Sequence, residues 1–96
     1  MNLKTFCEEA HRIAVKKGFY QKNREVSELL CLMHSEISEA LECDRKDDRD
    51  GFREEMADLI IRTADACQFL GIDIEKEIER KMKINEKRPF KHSKRY

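Results

Sequence analysis

The sequence predicts an all-α protein, and three observations carry that expectation. Charged residues make up 42% of the 96 positions and hydrophobic residues 40%, a mixture suited to long amphipathic helices. Three glycines and one proline are too few for the turns of a many-stranded sheet. Apolar residues recur three and four apart in four separate stretches, where strands would show alternation. A chain this short builds one core, so residues 1–96 are expected to form one domain, with helices over about 3–88 and a basic tail over 89–96.

Helix one is expected from about Leu3 to Lys17, on the spacing of Leu3, Phe6, Ala10, Ile13 and Ala14, with Gly18 as its stop and the aromatic pair Phe19-Tyr20 directly after. Helix two is expected from about Glu25 to Arg45, where Val26, Leu29, Leu30, Met33, Ile37, Ala40 and Leu41 make one apolar stripe. The run Asp44–Gly51 has no apolar residue and reads as a mobile connection between antiparallel neighbours. Helix three is expected from about Phe52 to Leu70, with Phe52, Met56, Leu59, Ile60, Thr63, Cys67 and Leu70 as its main face and Gly71 as its stop. Ile61 and Phe69 lie off that face, and a helix apolar on more than one side meets more than one layer. A homodimer or homotetramer is therefore expected. Asp73 caps helix four, about Ile74 to Lys87, with Ile74, Ile78 and Met82 as its stripe and Arg88-Pro89 as its end.

Twenty basic residues balance twenty acidic ones, so no net field recruits nucleic acid or an anionic membrane, and neither is expected as a partner. The last stretch is locally basic, with Lys81, Lys83, Lys87, Arg88, Lys91, Lys94 and Arg95 against Glu86. It is either a solvated tail or a contact for something anionic. No long apolar run or signal peptide can be drawn, which places the chain in the cytoplasm. Cys7, Cys31, Cys43 and Cys67 form no C-x-x-C pair and read as reduced, small apolar side chains, not as a zinc site.

The chemistry gathers in two short motifs. In Glu36-Ile37-Ser38-Glu39 and Glu55-Met56-Ala57-Asp58 the acids stand three apart, so each pair projects from one side of its helix, roughly 5–6 Å between Cβ atoms. Glu36 lies roughly 80° from the centre of its helix's apolar stripe and Glu55 roughly 90° from that of its own, which puts both at the edge of the core. Antiparallel packing of helices two and three lets four carboxylates converge. Such a cluster repels itself unless a cation neutralises it, and all-oxygen ligation favours Mg²⁺ or Mn²⁺. The plainer reading is a set of ordinary surface acids on charged helices. Arg62 and Asp65 continue the polar side of helix three, and the Arg either orients the carboxylates or only forms a salt bridge.

With these residues in view, the sequence resembles the MazG-like superfamily of all-α nucleoside triphosphate pyrophosphohydrolases, which includes dimeric dUTPases and dCTP pyrophosphatases. The family's E-x-x-E and E-x-x-D motifs stand here as Glu36-x-x-Glu39 and Glu55-x-x-Asp58. KGFY at Lys17–Tyr20, GID at Gly71–Asp73 and KMKINEKRPFKH at Lys81–His92 extend the likeness over almost the whole chain. The resemblance implies Mg²⁺-dependent hydrolysis of a nucleoside triphosphate to a monophosphate and pyrophosphate. It implies Glu36, Glu39, Glu55 and Asp58 as metal ligands and Lys81, Asn85 and Arg88 near the phosphates or sugar. Members nearest to this pattern often read K-H-G-G-K near the end, where this chain has Lys91-His92-Ser93-Lys94. Glu36 or Glu39 is the expected general base, and Phe19 or Tyr20 is placed to stack on the base. The rival readings are a base-specific dUTPase or dCTP pyrophosphatase and a catalytically silent nucleotide-binding or regulatory module.

Overall fold

The computed structural model describes residues 2–90 and contains four helices: α1 (Leu3–Lys16), α2 (Val26–Arg45), α3 (Arg49–Phe69) and α4 (Ile74–Lys87). The tail positions 91–96 lie outside the described residues. Among those described there is no strand, and no helix is long and apolar enough to cross a membrane.

Local chemistry sets the helix ends. Asn2 accepts from the Thr5 amide at 2.8 Å to open α1, and Asp73 accepts from the Lys76 amide at 3.2 Å to open α4. The Glu25 amide donates to Glu28 Oε1 at 3.3 Å at the start of α2. Gly18 and Gly71 take φ values of 88° and 70° just past α1 and α3, the left-handed stop that glycine adopts without strain.

The connection between α2 and α3 differs from expectation. It is a three-residue turn at positions 46–48, and α3 starts at Arg49. Asp48 caps the helix by accepting from the Gly51 amide at 2.9 Å, so Gly51 sits inside the first turn and ends no loop. A Cβ on Gly51 would meet the Asp48 carboxylate at 2.3 Å, which is why glycine suits this position. Arg49 reaches back to Asp44 at 2.8 Å and to Asp47 at 3.0 Å, and these pairs tie the charged run into a defined turn.

α3 is the central helix: α2 and α1 both pack on it, and α4 meets α1. Where α1 crosses α3 the buried residues are small, Cys7, Ala10 and Ala64, with Leu3, Phe6 and Ile74 around them. Small side chains at a crossing let two helices approach closely.

The expected apolar faces are buried only in part. On α2 the buried residues are Leu29, Glu36 and Ala40, whereas Val26, Leu30, Ile37 and Leu41 are all about half exposed. The helix is turned so that Leu29, Glu36 and Ala40 are covered and one flank of the stripe, Val26, Leu30, Ile37 and Leu41, faces outward. On α3, Ala64, Asp65, Ala66 and Cys67 are buried, while Met56, Ile60 and Leu70 of the expected main face remain exposed. α4 buries none of its residues, and Ile78 and Met82 of its stripe are open. The accessible surface is 7862 Å², against roughly 5,800 Å² for a compact monomer of this mass.

Candidate metal centre and adjoining cavity

Three of the four motif acids meet where α2 packs on α3. Glu36, Glu39 and Glu55 each offer an oxygen, and these oxygens all lie within 4.8 Å of one another. The spacing is on the scale of the oxygen shell of a divalent cation. One three-residue step on α2, from Glu36 to Glu39, and a single residue on the facing α3, Glu55, place the side chains there.

The three carboxylates stand in different surroundings. Glu36 is 6% exposed and accepts from Arg62 Nε at 2.7 Å. That guanidinium holds the Glu36 carboxyl below the usual range. Arg62 thus orients Glu36 through a salt bridge across the helix pair, which joins both roles open to it from the sequence. Glu39 is exposed to solvent. Glu55 lies against Glu36 and Glu39, whose carboxylates push it up to about 7, with burial adding to the rise. Its Oε2 is buried with no hydrogen-bond donor. A donor-less buried carboxylate oxygen beside two further carboxylates is the environment a divalent cation fits.

Two expected outcomes follow from this arrangement. Glu55 in the ion-free fold keeps its proton up to about pH 7, well above the ordinary glutamate value of 4.5. The folded state therefore binds the extra proton between those limits, and the stability of the ion-free protein falls as pH rises through that window. A divalent ion held there would displace the same proton, so any Mg²⁺ affinity would weaken as pH drops below 7. Calorimetric titration in two buffers of different ionisation enthalpy reads both the affinity and the released proton. Separately, Arg62→Met leaves buried Glu36 without its countercharge. A loss of about 2 kcal/mol in urea unfolding is expected, and millimolar Mg²⁺ should restore part of it.

Asp58 is not one of the converging three. It is exposed and lines a neighbouring cavity of about 320 Å³. Glu36, Arg62 and Asp65 share the polar side of this cavity, and Ala10, Ile13, Ala14, Phe19 and Ile61 form its apolar wall. Phe19 is fixed by Arg24, whose Nε donates to the Phe19 carbonyl at 2.7 Å and whose guanidinium lies 3.9 Å from the ring centroid. Tyr20 donates its hydroxyl to Asp65 Oδ2 at 2.8 Å and stacks on Phe69 at 4.5 Å between centroids. Burial, together with the Asp65 carboxylate, raises the Tyr20 hydroxyl far above its ordinary value, so it stays a donor. Lys81 and Asn85 lie on the exposed far half of α4 and Arg88 stands just past its end; α4 meets α1 and has no comparable contact with α2.

His11 went unremarked in the sequence. Its Nδ1 lies 2.8 Å from Asp65 Oδ1, so His11 and Tyr20 hold the two oxygens of one buried carboxylate. Its signal was a polar residue four positions after Cys7 and three before Ala14, on the face of α1 that packs on α3. Arg24 gave no comparable signal, because its contact with Phe19 depends on the path of the loop.

In comparisons with protein-family models, with curated proteins and with solved structures, nothing matches this chain.

Proposed function

We propose that the protein is a Mg²⁺-dependent nucleoside triphosphate pyrophosphohydrolase, acting on common or modified ribo- or deoxyribonucleotides. The observation that carries this reading is the convergence of Glu36, Glu39 and Glu55, with the donor-less Glu55 oxygen, next to a cavity that Glu36 also lines and that has one apolar and one polar side. Glu36, Glu39 and Glu55 would hold the ion, with Asp58 one turn further along α3 at the cavity edge. Bound Mg²⁺, or Mn²⁺ in its place, supplies neutralisation of phosphate charge and polarisation of the scissile anhydride.

The chain's own residues divide the remaining work. Arg62 keeps Glu36 ionised and oriented. Glu39 reaches solvent, where an attacking water arrives, and is the better general base than the Arg-paired Glu36. The base of the nucleotide enters the cavity against Phe19, whose ring is already held by Arg24. Lys81, Asn85 and Arg88 bring positive charge and a polar amide to the phosphates once α4 is seated in an oligomer.

That oligomer is part of the proposal. The outward stripe Val26, Leu30, Ile37 and Leu41, spaced four, seven and four apart, forms a seam for a second copy's helices. The excess surface over a compact monomer, roughly 2,000 Å² per chain, is enough for an obligate interface. A cytoplasmic location follows from the same reading, since nucleotide pools lie there. The test is pyrophosphate release from a panel of ribo- and deoxyribonucleoside triphosphates with Mg²⁺ and with chelator. Metal-dependent release of pyrophosphate supports the reading; release of inorganic phosphate, or no turnover, removes it.

A further inference from the structure

Resting on the nucleotide reading, we infer that Asp65 selects the substrate's base, admitting rings that carry an exocyclic amine and disfavouring those with a carbonyl at the same position. Asp65 lies on the cavity wall, its side chain about 10% exposed. His11 Nδ1 and the Tyr20 hydroxyl occupy one lone-pair position on each of its oxygens. A carboxylate offers about four such positions, so about two remain for a ligand. Among the described residues no Lys or Arg pairs with Asp65, and the nearby Arg62 points its Nε at Glu36.

Such a carboxylate gains from one more donor and repels an acceptor. An amino group on the base edge is the donor that fits. A carbonyl there would set lone pair against lone pair in a site shielded from water. The placement along α3 agrees with the dimensions of a nucleotide. Asp65 is ten residues beyond Glu55, roughly 15 Å along the helix axis, so phosphates at the carboxylates leave the ring near Asp65. Phe19 and Ile61 on the apolar wall suit its flat faces.

Two pairs of triphosphates test this, because the members of each pair differ only along one edge, an exocyclic amine beside an acceptor ring nitrogen against a carbonyl beside a ring N–H: CTP against UTP, and ATP against ITP. Equilibrium binding is measured with Ca²⁺ replacing Mg²⁺, and kcat/KM with Mg²⁺. The native chain should favour CTP over UTP and ATP over ITP by roughly tenfold or more in both readouts. Asp65→Asn, which presents a donor as well as an acceptor, should bring both ratios to within about threefold. Equal use of both members of each pair by the native chain overturns the selection and leaves the hydrolase reading standing. Selective binding without any turnover would do the reverse, and no binding of any of the four would remove both. A folded Asp65→Asn that keeps the native ratios also overturns it. If that variant loses its helical circular dichroism, the native ratios alone decide.

Discussion

Glu39→Gln is expected to slow pyrophosphate release by about 10²–10⁴-fold, the range over which a positioned general base acts. The fold should not suffer. Glu39 is exposed, and its charge adds to the crowding that pushes Glu55 up to about 7. Removing that charge should therefore leave the ion-free protein as stable as the native chain or slightly more so in urea unfolding. Activity and stability thus move apart, which a residue of purely structural importance would not produce. A variant that turns over normally with Mg²⁺ bound would remove Glu39 from the chemistry and return the role to Glu36.

The second large effect concerns assembly. Leu30→Lys combined with Ile37→Lys places two charges on a stripe whose residues are already half exposed in the single chain. In a lone chain this change costs little, because neither side chain is fully buried. In an oligomer seamed along that stripe it should abolish association, since two unpaired ammonium groups would be buried at each copy's interface. Light scattering after size exclusion should then show the native chain at two or four times the 11.5 kDa of one chain and the variant at one. Turnover should fall with assembly, because α4 carries Lys81 and Asn85, with Arg88 just past its end, and has no comparable contact with α2 within one chain. A native chain that elutes as a monomer would contradict this part of the account.

The helices and their stops were legible because they depend on neighbours in sequence. Gly18, Gly71 and Asp73 acted where their types suggest. The charged run after α2 misled for the same local reason: Gly51 looked like a loop end, yet Asp48 three residues earlier recruits it into a first turn. The convergence of Glu36, Glu39 and Glu55 could be anticipated from the spacing of acids on two helices joined by a short connection.

What could not be read was rotation. Periodicity marks an apolar stripe but not which flank of it the same chain covers, and α2 turns the flank of Val26, Leu30, Ile37 and Leu41 outward while burying Glu36 against Arg62. That choice is decided by a pair 26 residues apart in sequence. The link from His11 and Tyr20 to Asp65 spans 54 and 45 residues, and its ends carry no shared local pattern. Asp58 shows the limit from the other side: a motif position places an acid on the right face, but helix tilt decides whether it joins the cluster or the cavity beside it.

The proposed chemistry depends on the three carboxylates forming a cation site, and Mn²⁺ binding followed by electron paramagnetic resonance measures that directly. The native chain should deplete the free-ion signal in a saturable way. A chain carrying Glu36→Gln and Glu55→Gln should leave the signal of free Mn²⁺ unchanged while its helical circular dichroism persists. Equal binding by the two chains, or no saturable binding by the native one, would contradict the account.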